Sequence, residues 1–293
     1  MSGIFGSEIF GFDAYSPKEI AKQVETVGVA KTELSLLSTV LLGVLAGAFI
    51  GLGALYFMIV KSDDSLSFAI SQMLGGFAFS LGLILVIVAG AELFTGNNLL
   101  SMAWADGKIS TSKLLRNWVI VCFANFIGAA GLAVLVFYSG HTEMNNGAVA
   151  DQYLKIAAAK SAMPFWSAFF KGVLCNILVC MAVWMALAGR SVVDKVVAIV
   201  FPISAFVAAG FEHSIANMYI IPMGMLIKAS GHPGPDVDAI SWLGLFSNLV
   251  PVIMGNLVGG SLLVGIVYYI IYLRPKPDSD RPNSDRPDSD RPD

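Results

Sequence analysis

The sequence predicts an all-α membrane protein with six transmembrane helices, and three observations support this prediction. Of its 293 residues, 56% are apolar and only 13% are charged, against about 25% charged residues in a soluble domain. Four stretches longer than about 20 residues, the length that spans a bilayer, carry at most one charge each. Two further apolar stretches are too long for one span, and each holds an acidic residue.

The uninterrupted spans are predicted at residues 34–60, 118–140, 161–189 and 240–273. The two remaining stretches are the second and fifth in chain order, at residues 66–105 and 196–227. The first of these exceeds one span yet barely makes two, and no polar turn divides it. A helix broken by a re-entrant segment fits both stretches, which gives six spans in all.

A short amphipathic helix is predicted before the first span. Residues 16–19, Ser-Pro-Lys-Glu, have the form of a capping box with proline at the first helical position. Ile20, Val24 and Val27 then form one apolar face, which is typical of a helix that lies on a membrane surface. This helix serves either as an anchor or as a movable lid.

The predicted organisation is a cytoplasmic N-terminal segment, a first three-span repeat, an outer loop, a second three-span repeat and a disordered cytoplasmic tail, at residues 1–33, 34–140, 141–160, 161–273 and 274–293. The tail repeats Asp-Ser-Asp-Arg-Pro, which is too polar and too proline-rich to pack. Before these repeats begin at Asp278, ten Lys and Arg lie on the side of the termini and five on the other side. Basic residues mark the cytoplasmic side, so both termini are predicted to be cytoplasmic.

Three sequence landmarks recur in the same order in the two halves of the chain. They are Gly-Val-Leu at 43–45 and 172–174, Gly-x-Glu-x4-Asn at 90–97 and 210–217, and Asn-x7-Asn-x2-Gly at 117–128 and 248–259. The offsets are 129, 120 and 131 residues. Because each repeat holds three spans, the second is inverted relative to the first. Inverted repeats with broken helices place their site near the midplane of the membrane.

Polar side chains cluster at the two breaks. Thr95 and Asn97 lie at the first break, and His213 and Asn217 lie at the second. Ser, Thr and Asn cap helix N-termini, so the half-helix after each break would direct its positive dipole end to the midplane. Two such ends favour an anion over a cation. His213 lies inside an apolar stretch, where ionisable residues are usually functional, and its imidazole can donate a hydrogen bond or a proton.

The remaining polar residues of the breaks are predicted to be structural. Glu92 and Glu212 occupy matching positions in the two repeats, and Asn97 follows Glu92 by five residues. A carboxylate at such a break can accept orphan backbone N–H groups or an Asn amide. Asn176 stands alone in an otherwise apolar span. It either orients a substrate or bonds to a neighbouring helix.

Several of these motifs resemble those of the formate/nitrite transporter family, and their residues are most similar to its formate-channel branch. The resemblance is found in the sequences at 91–97, 116–118, 189–195, 209–218 and 255–260, and it covers residues 15–275 in order. It implies an aquaporin-like protomer with one pore, a homopentamer in the lipid of the cell inner membrane, and a channel rather than an enzyme. No cofactor is implied.

The resemblance also implies roles for single residues. His213 resembles the central pore histidine, Thr95 its partner and Lys160 the vestibule lysine, while Asn176 and Asn217 are expected beside the substrate. The residues that resemble the pore constriction are Leu83, Leu93, Phe206, Phe79 and Val179. The expected function is proton-linked permeation of small monovalent anions or their weak acids at His213, with formate first and nitrite also.

Alternative functions remain at this point. Gly96-Asn97-Asn98 differs from a Ser-rich formate-channel version, which keeps a hydrosulfide channel open. A water or neutral-solute channel fits the architecture, but neither break has Asn-Pro-Ala. An intramembrane enzyme would need Glu212 and His213 to act jointly, although adjacent helical residues point about 100° apart. Metal binding is not expected, because no second His or Cys has ligand spacing. The balanced charge outside the tail predicts no nucleic-acid partner.

Overall fold

The computed structural model describes residues 14–234 and 237–274. The predicted disordered tail therefore lies outside the described residues, apart from Arg274. The α-helices are α1 Pro17–Thr32, α2 Leu36–Lys61, α3 Phe68–Ala89, α4 Ser101–Ala105, α5 Thr111–Tyr138, α6 Ala148–Ser161, α7 Phe165–Ala188, α8 Val192–Ala208, α9 Ser214–Ala229, α10 Trp242–Leu257 and α11 Val267–Tyr272. Within the described residues, the only β-structure is an isolated bridge between Ala14 and Gly189.

Five helices of the described chain are long and apolar enough to cross a membrane. They are α2, α3, α5, α7 and the continuous helix Trp242–Tyr272, in which a π-helical segment, Val258–Ile266, joins α10 to α11. The predicted class, an all-α membrane protein with several spans, is therefore confirmed. The arrangement of six spans in two inverted repeats fits the remaining helices, since α8 and α9 are two shorter halves of the predicted fifth span.

Both predicted breaks are present, and a left-handed glycine lies at each. Gly90 has φ 80° directly after α3, and Gly210 has φ 69° between α8 and α9. Glycine adopts this conformation without the steric penalty of a Cβ atom. The breaks differ in position. The second break divides the fifth span into helices of 17 and 16 residues. The first break instead comes after α3, a complete 22-residue helix, and a short 3-10 turn and α4 follow it.

The two halves pack in the same way around backbone contacts at glycine. Gly47 of α2 and Gly128 of α5 face the partner helix so closely that a Cβ atom would overlap backbone atoms of that helix. In the second half, Gly255 and Gly259 face the backbone of α7 in the same manner. Small residues let membrane helices approach at backbone distance. These glycines therefore fix the spacing within each repeat.

Substitution of Gly128 by Ala tests this packing. Its Cβ atom would meet the Val44 carbonyl oxygen, which a side-chain rotation cannot relieve, and overpacking of this kind costs about 1–3 kcal/mol. We expect a lower melting temperature in detergent than for the wild type. Gly131→Ala is the matched control, because it lies in the same helix and a Cβ atom there has no heavy atom within 4 Å. Equal melting temperatures for the two variants would contradict the interpretation.

The N-terminal helix α1 packs on the protein rather than on a lipid surface alone. Its predicted capping box is present, with the Ser16 N–H donating to the Glu19 carboxylate over 2.8 Å. Ile20 and Val24 are buried in one cluster with Trp184 and residues of the first break. Val27, which the sequence placed on the same apolar face, is instead 39% exposed. The apolar face thus completes a hydrophobic core at this end of the molecule.

An ion pair holds α1 to the loop before α5. Glu25 is buried and its carboxylate lies 2.5 Å from Lys108 Nζ. Burial raises the pKa of Glu25, and the bond from Lys108 acts in the opposite direction. The contact ties the helix to the cytoplasmic end that the sequence predicts.

The predicted outer loop, residues 141–160, contains a helix that the sequence interpretation missed. Helix α6 buries Tyr153 and Leu154 against α9, and the Tyr153 hydroxyl bonds to the Tyr219 hydroxyl over 2.8 Å. Its apolar residues recur at helical spacing, but the segment is too short and too polar to be recognised as a span. It covers the end of the second break that lies on the predicted outer side.

Candidate functional site

The first break is closed by an ion pair and a chain of amides. Glu92 Oε1 lies 2.9 Å from Lys31 Nζ, and Glu92 Oε2 accepts from Asn97 Nδ2 over 2.6 Å. Asn97 Nδ2 also reaches Asn117 Oδ1 at 3.0 Å, and Lys31 Nζ donates to Asn97 Oδ1 over 2.8 Å. The buried carboxylate therefore has a cation on one oxygen and an amide on the other.

The second break repeats this arrangement. Glu212 Oε1 lies 2.8 Å from Lys160 Nζ, and Glu212 Oε2 accepts from Asn217 Nδ2 over 2.7 Å. Asn217 Nδ2 also reaches Asn248 Oδ1 at 2.7 Å. One difference separates the halves: Lys160 makes no bond to Asn217 Oδ1, which is buried without a partner among the described residues.

Two further asparagines fasten the loops of the breaks to the spans behind them. Asn125 Nδ2 donates to the carbonyls of Gly43 (2.7 Å) and Glu92 (2.9 Å), and its Oδ1 accepts the Phe94 N–H over 2.9 Å. Asn256 makes the matching bonds in the second half, to Gly172, Glu212 and Ser214. The broken backbone thus receives donors and acceptors that a continuous helix would provide itself.

The repeated bonds bear on one prediction and reveal one omission. The predicted contact of each carboxylate with an Asn amide is present at both breaks. The lysine partners, Lys31 and Lys160, were not predicted. A signal was available, because Lys31 and Lys160 are 129 residues apart, the same offset that separates Gly43 from Gly172.

His213 and Thr95 meet between the breaks. His213 Nε2 lies 3.0 Å from Thr95 Oγ1, and both side chains are buried. His213 Nδ1 accepts the Ala216 N–H over 3.2 Å as the N-cap of α9. A hydrogen on Nδ1 would oppose that N–H. The hydrogen-bond pattern therefore assigns the neutral ring its hydrogen on Nε2, which donates to Thr95 and leaves the threonine hydroxyl hydrogen available to another acceptor.

Two cavities approach this pair from opposite sides, and they are named outer and inner after the orientation that the sequence predicts. The outer cavity, about 330 Å³, is lined by His213, Lys160 and Asn217 together with Phe79 and Phe206. The inner cavity, about 50 Å³, is lined by residues that include Lys31, Asn97, Leu83, Leu93 and Val183. The Phe206 ring stacks on His213 with centroids 5.9 Å apart. Of the predicted constriction residues, Phe79 and Phe206 therefore lie on the outer side, and Leu83 and Leu93 lie on the inner side.

Two predicted pore residues lie behind the pathway. Val179 is buried but lines neither cavity, whereas Val183, one turn further along α7, lines the inner one. Asn176 Nδ2 lies within hydrogen-bond distance of Thr95 O (3.2 Å), Asn98 Oδ1 (2.8 Å) and Asn256 O (2.7 Å). Of the two roles considered for Asn176, these contacts favour helix-to-helix bonding.

Metal chemistry receives no support from the described part of the chain. Across residues 14–234 and 237–274, no three His, Cys, Asp or Glu side chains are grouped as metal ligands. The buried acids are instead paired with lysine and asparagine. The arrangement is a narrow polar contact between two cavities, flanked by apolar side chains.

Comparison with known proteins places this geometry in a family. The sequence model described as "Formate/nitrite transporter" matches residues 18–270. Formate channel FocA of Escherichia coli K12 is 40% identical over 274 residues, which cover 90% of this chain and 96% of that protein. Formate channel BtFdhC of Bacillus thuringiensis is 36% identical over 260 residues, covering 88% and 96%.

Solved structures agree with the sequence comparison. A structure described as "Pentameric formate channel with formate bound" matches with a TM-score of 0.74 and 37% identity, covering 82% of this chain and 98% of that one. An "FNT family ion channel" matches with a TM-score of 0.77 and 28% identity, covering 86% and 98%. These relatives are channels rather than enzymes, as the motifs predicted. The chain is a multi-pass membrane protein that belongs to the formate/nitrite transporter family.

Proposed function

We propose that this protein is a passive channel for formate and, in the same way, for nitrite. The observation that carries the proposal is the contact between Thr95 and His213, which lies between the outer and the inner cavity. Formate is small enough for such a constriction, and its oxygens can accept the Thr95 hydroxyl hydrogen. The two relatives named formate channels support the choice of formate as the first substrate.

The pathway must let a negatively charged solute cross an apolar constriction. An anion entering the apolar constriction loses hydration at a cost of several kcal/mol. The protein offsets part of this cost with the positive dipole end at the start of α9 and with the Thr95 hydroxyl. A low dielectric also favours the neutral form of the permeating acid. We infer that formate crosses Leu83, Leu93 and Phe206 as formic acid.

His213 supplies the proton in this proposal. A proton from outer-cavity water makes the ring a short-lived imidazolium, because a hydrogen on Nδ1 opposes the Ala216 N–H. Nε2 then passes a proton to Thr95 Oγ1 while the threonine hydroxyl proton moves to formate. The ring is left neutral with its hydrogen on Nδ1, and exchange with water restores the Nε2 form that the Ala216 bond favours.

Assembly and orientation complete the proposal. The Thr95–His213 contact and both cavities form within a single chain, and we propose that each subunit has its own pathway. We propose a homopentamer in the cell inner membrane, by analogy with the pentameric structural relative. The excess of Lys and Arg supports a cytoplasmic location for both termini, and in that orientation the cavity that holds Lys160 faces outward.

A flux assay in proteoliposomes tests the substrate. We expect the purified protein to accelerate entry of formate strongly and of nitrite measurably, with no effect on glycerol, because the polar contact selects oxygen acceptors of weak acids. Each solute is measured by light scattering or a pH-sensitive dye, and empty liposomes give the background.

Substrate panels give clear contrary outcomes. Glycerol flux without formate flux would identify a neutral-solute channel. Hydrosulfide flux that greatly exceeds formate flux would support the alternative raised by Gly96-Asn97-Asn98. Both asparagines of that sequence, however, are bound within the protein, Asn97 to Glu92 and Asn98 to Asn176.

A further inference from the structure

The outer cavity holds more positive charge than its ion pair accounts for. Lys61, Lys155 and Lys160 line it, and Glu212 is the only acidic residue among its lining residues. Glu212 is bonded to Lys160. Three lysines against one glutamate leave two positive charges without a carboxylate partner, and those charges belong to Lys61 and Lys155.

The ammonium group of Lys61 is bonded to neutral groups, which do not offset its positive charge. Its Nζ donates to Ser71 Oγ over 2.9 Å and to Gln72 Oε1 over 2.8 Å. Gln72 is itself fixed, since its Nε2 donates to Ala208 O over 2.8 Å. Lys155 is exposed on α6. Neither lysine forms an ion pair with any described residue.

The inner cavity has no such surplus. Its one charged lining residue is Lys31, and Lys31 is paired with Glu92. The two breaks carry matched lysine–glutamate pairs, but two extra lysines occur on the outer side alone. The internal repeat therefore does not require lysines at positions 61 and 155, and neither does stabilisation of the two breaks.

We propose that Lys61 and Lys155 form an anion-capture site at the outer mouth, and that they carry the role predicted for the ion-paired Lys160. The inference rests on the proposed anion permeation and deepens it. Charges without partners in a concave, low-dielectric wall raise the local concentration of anions. The charge of Lys160 is largely offset by Glu212 2.8 Å away, so it adds little to that field.

The double variant Lys61→Gln/Lys155→Gln tests the site. At an ionic strength of about 0.01 M, where the Debye length is about 30 Å, we expect formate flux to fall roughly 3- to 10-fold. At about 1 M, where the Debye length is about 3 Å, the fall should shrink to less than about 2-fold. Potassium gluconate sets the ionic strength, and the wild type is measured in parallel at each value.

Two controls separate charge from structure. Lys61→Arg/Lys155→Arg keeps both charges and should retain the wild-type salt dependence. Lys18→Gln/Lys22→Gln removes the same number of charges from exposed positions of α1, on the opposite face, and should leave flux unchanged. Because a passive pathway obeys detailed balance, the loss in the cavity variant should be equal for influx and efflux.

The contrary results are distinct from a failure of the proposed function. Wild-type flux of formate that the cavity variant matches at low ionic strength would overturn the capture site, as would an equal loss at low and high ionic strength. If the double variant does not fold, Lys155→Gln alone decides the question, because Lys155 is exposed. Absence of formate flux in the wild type would instead reject anion permeation itself.

Discussion

Replacement of His213 by Asn is expected to change formate transport from nearly electroneutral to electrogenic. In the proposed mechanism the wild type moves formate with a proton, so little net charge crosses for each molecule. The asparagine side chain of the variant cannot hold and release a proton. Any formate that still crosses should then carry about one charge, and the total flux should fall because the anion meets the full desolvation cost, several kcal/mol.

Asn is the substitution that isolates proton transfer at this position. It is among the preferred N-cap residues, so it can still accept the Ala216 N–H that His213 Nδ1 accepts now. A difference between the two proteins therefore reports the titratable ring rather than a collapsed break.

The measurement is the ratio of charge moved to formate moved in proteoliposomes, over a range of external pH. We expect the wild-type ratio to stay near zero and the flux to rise as the pH falls, since protons are consumed at the outer side. The proton-transfer role is wrong if the wild type carries one charge per formate at every pH and His213→Asn behaves identically. A matching melting temperature confirms that the variant is folded.

Glu92→Gln and Glu212→Gln are expected to reduce the amount of folded, correctly assembled protein rather than to alter ion selectivity. Each substitution leaves a lysine beside the break without its carboxylate. Loss of one partner of a buried ion pair costs about 3–5 kcal/mol, with less expected for Lys31, whose side chain is 25% exposed, than for Lys160, whose side chain is 15% exposed. The Asn amide retains an oxygen acceptor in the Gln variant, so the loss should come mainly from the uncompensated lysine.

A second variant and a control sharpen this test. Lys160→Met/Glu212→Gln removes both charges and should recover part of the stability that Glu212→Gln loses. Glu33→Gln makes the same chemical change in the exposed pair with Lys113, where an ion pair contributes about 0–1 kcal/mol. Yield, oligomer size and melting temperature in detergent are the readouts. Normal values for all three, together with altered anion selectivity, would place the carboxylates in substrate contact.

Much of the site could be predicted because the internal three-span repeat can be recognised in the sequence. The landmarks at Glu92 and Glu212, and the asparagines five residues after them, predicted two matching breaks, and the structure joins each acid to its asparagine. Lys31 and Lys160 are also equivalent in the repeat, at the offset of 129 residues that separates Gly43 from Gly172. Hydropathy does not distinguish these two lysines from the other basic residues at the ends of apolar stretches, so the ion pairs were not predicted.

Composition and residue pattern alone predict the lipid environment and the helices: apolar length sets the number of membrane-length helices, and glycine with polar residues inside such a stretch marks a break. Which charges are free depends on the fold. Lys61, Lys155 and Lys160 are equivalent as basic residues outside the spans, but only Lys160 is 2.8 Å from Glu212. Compensation of a charge depends on distances of a few ångströms between segments remote in the chain, and hydropathy and spacing do not contain those distances.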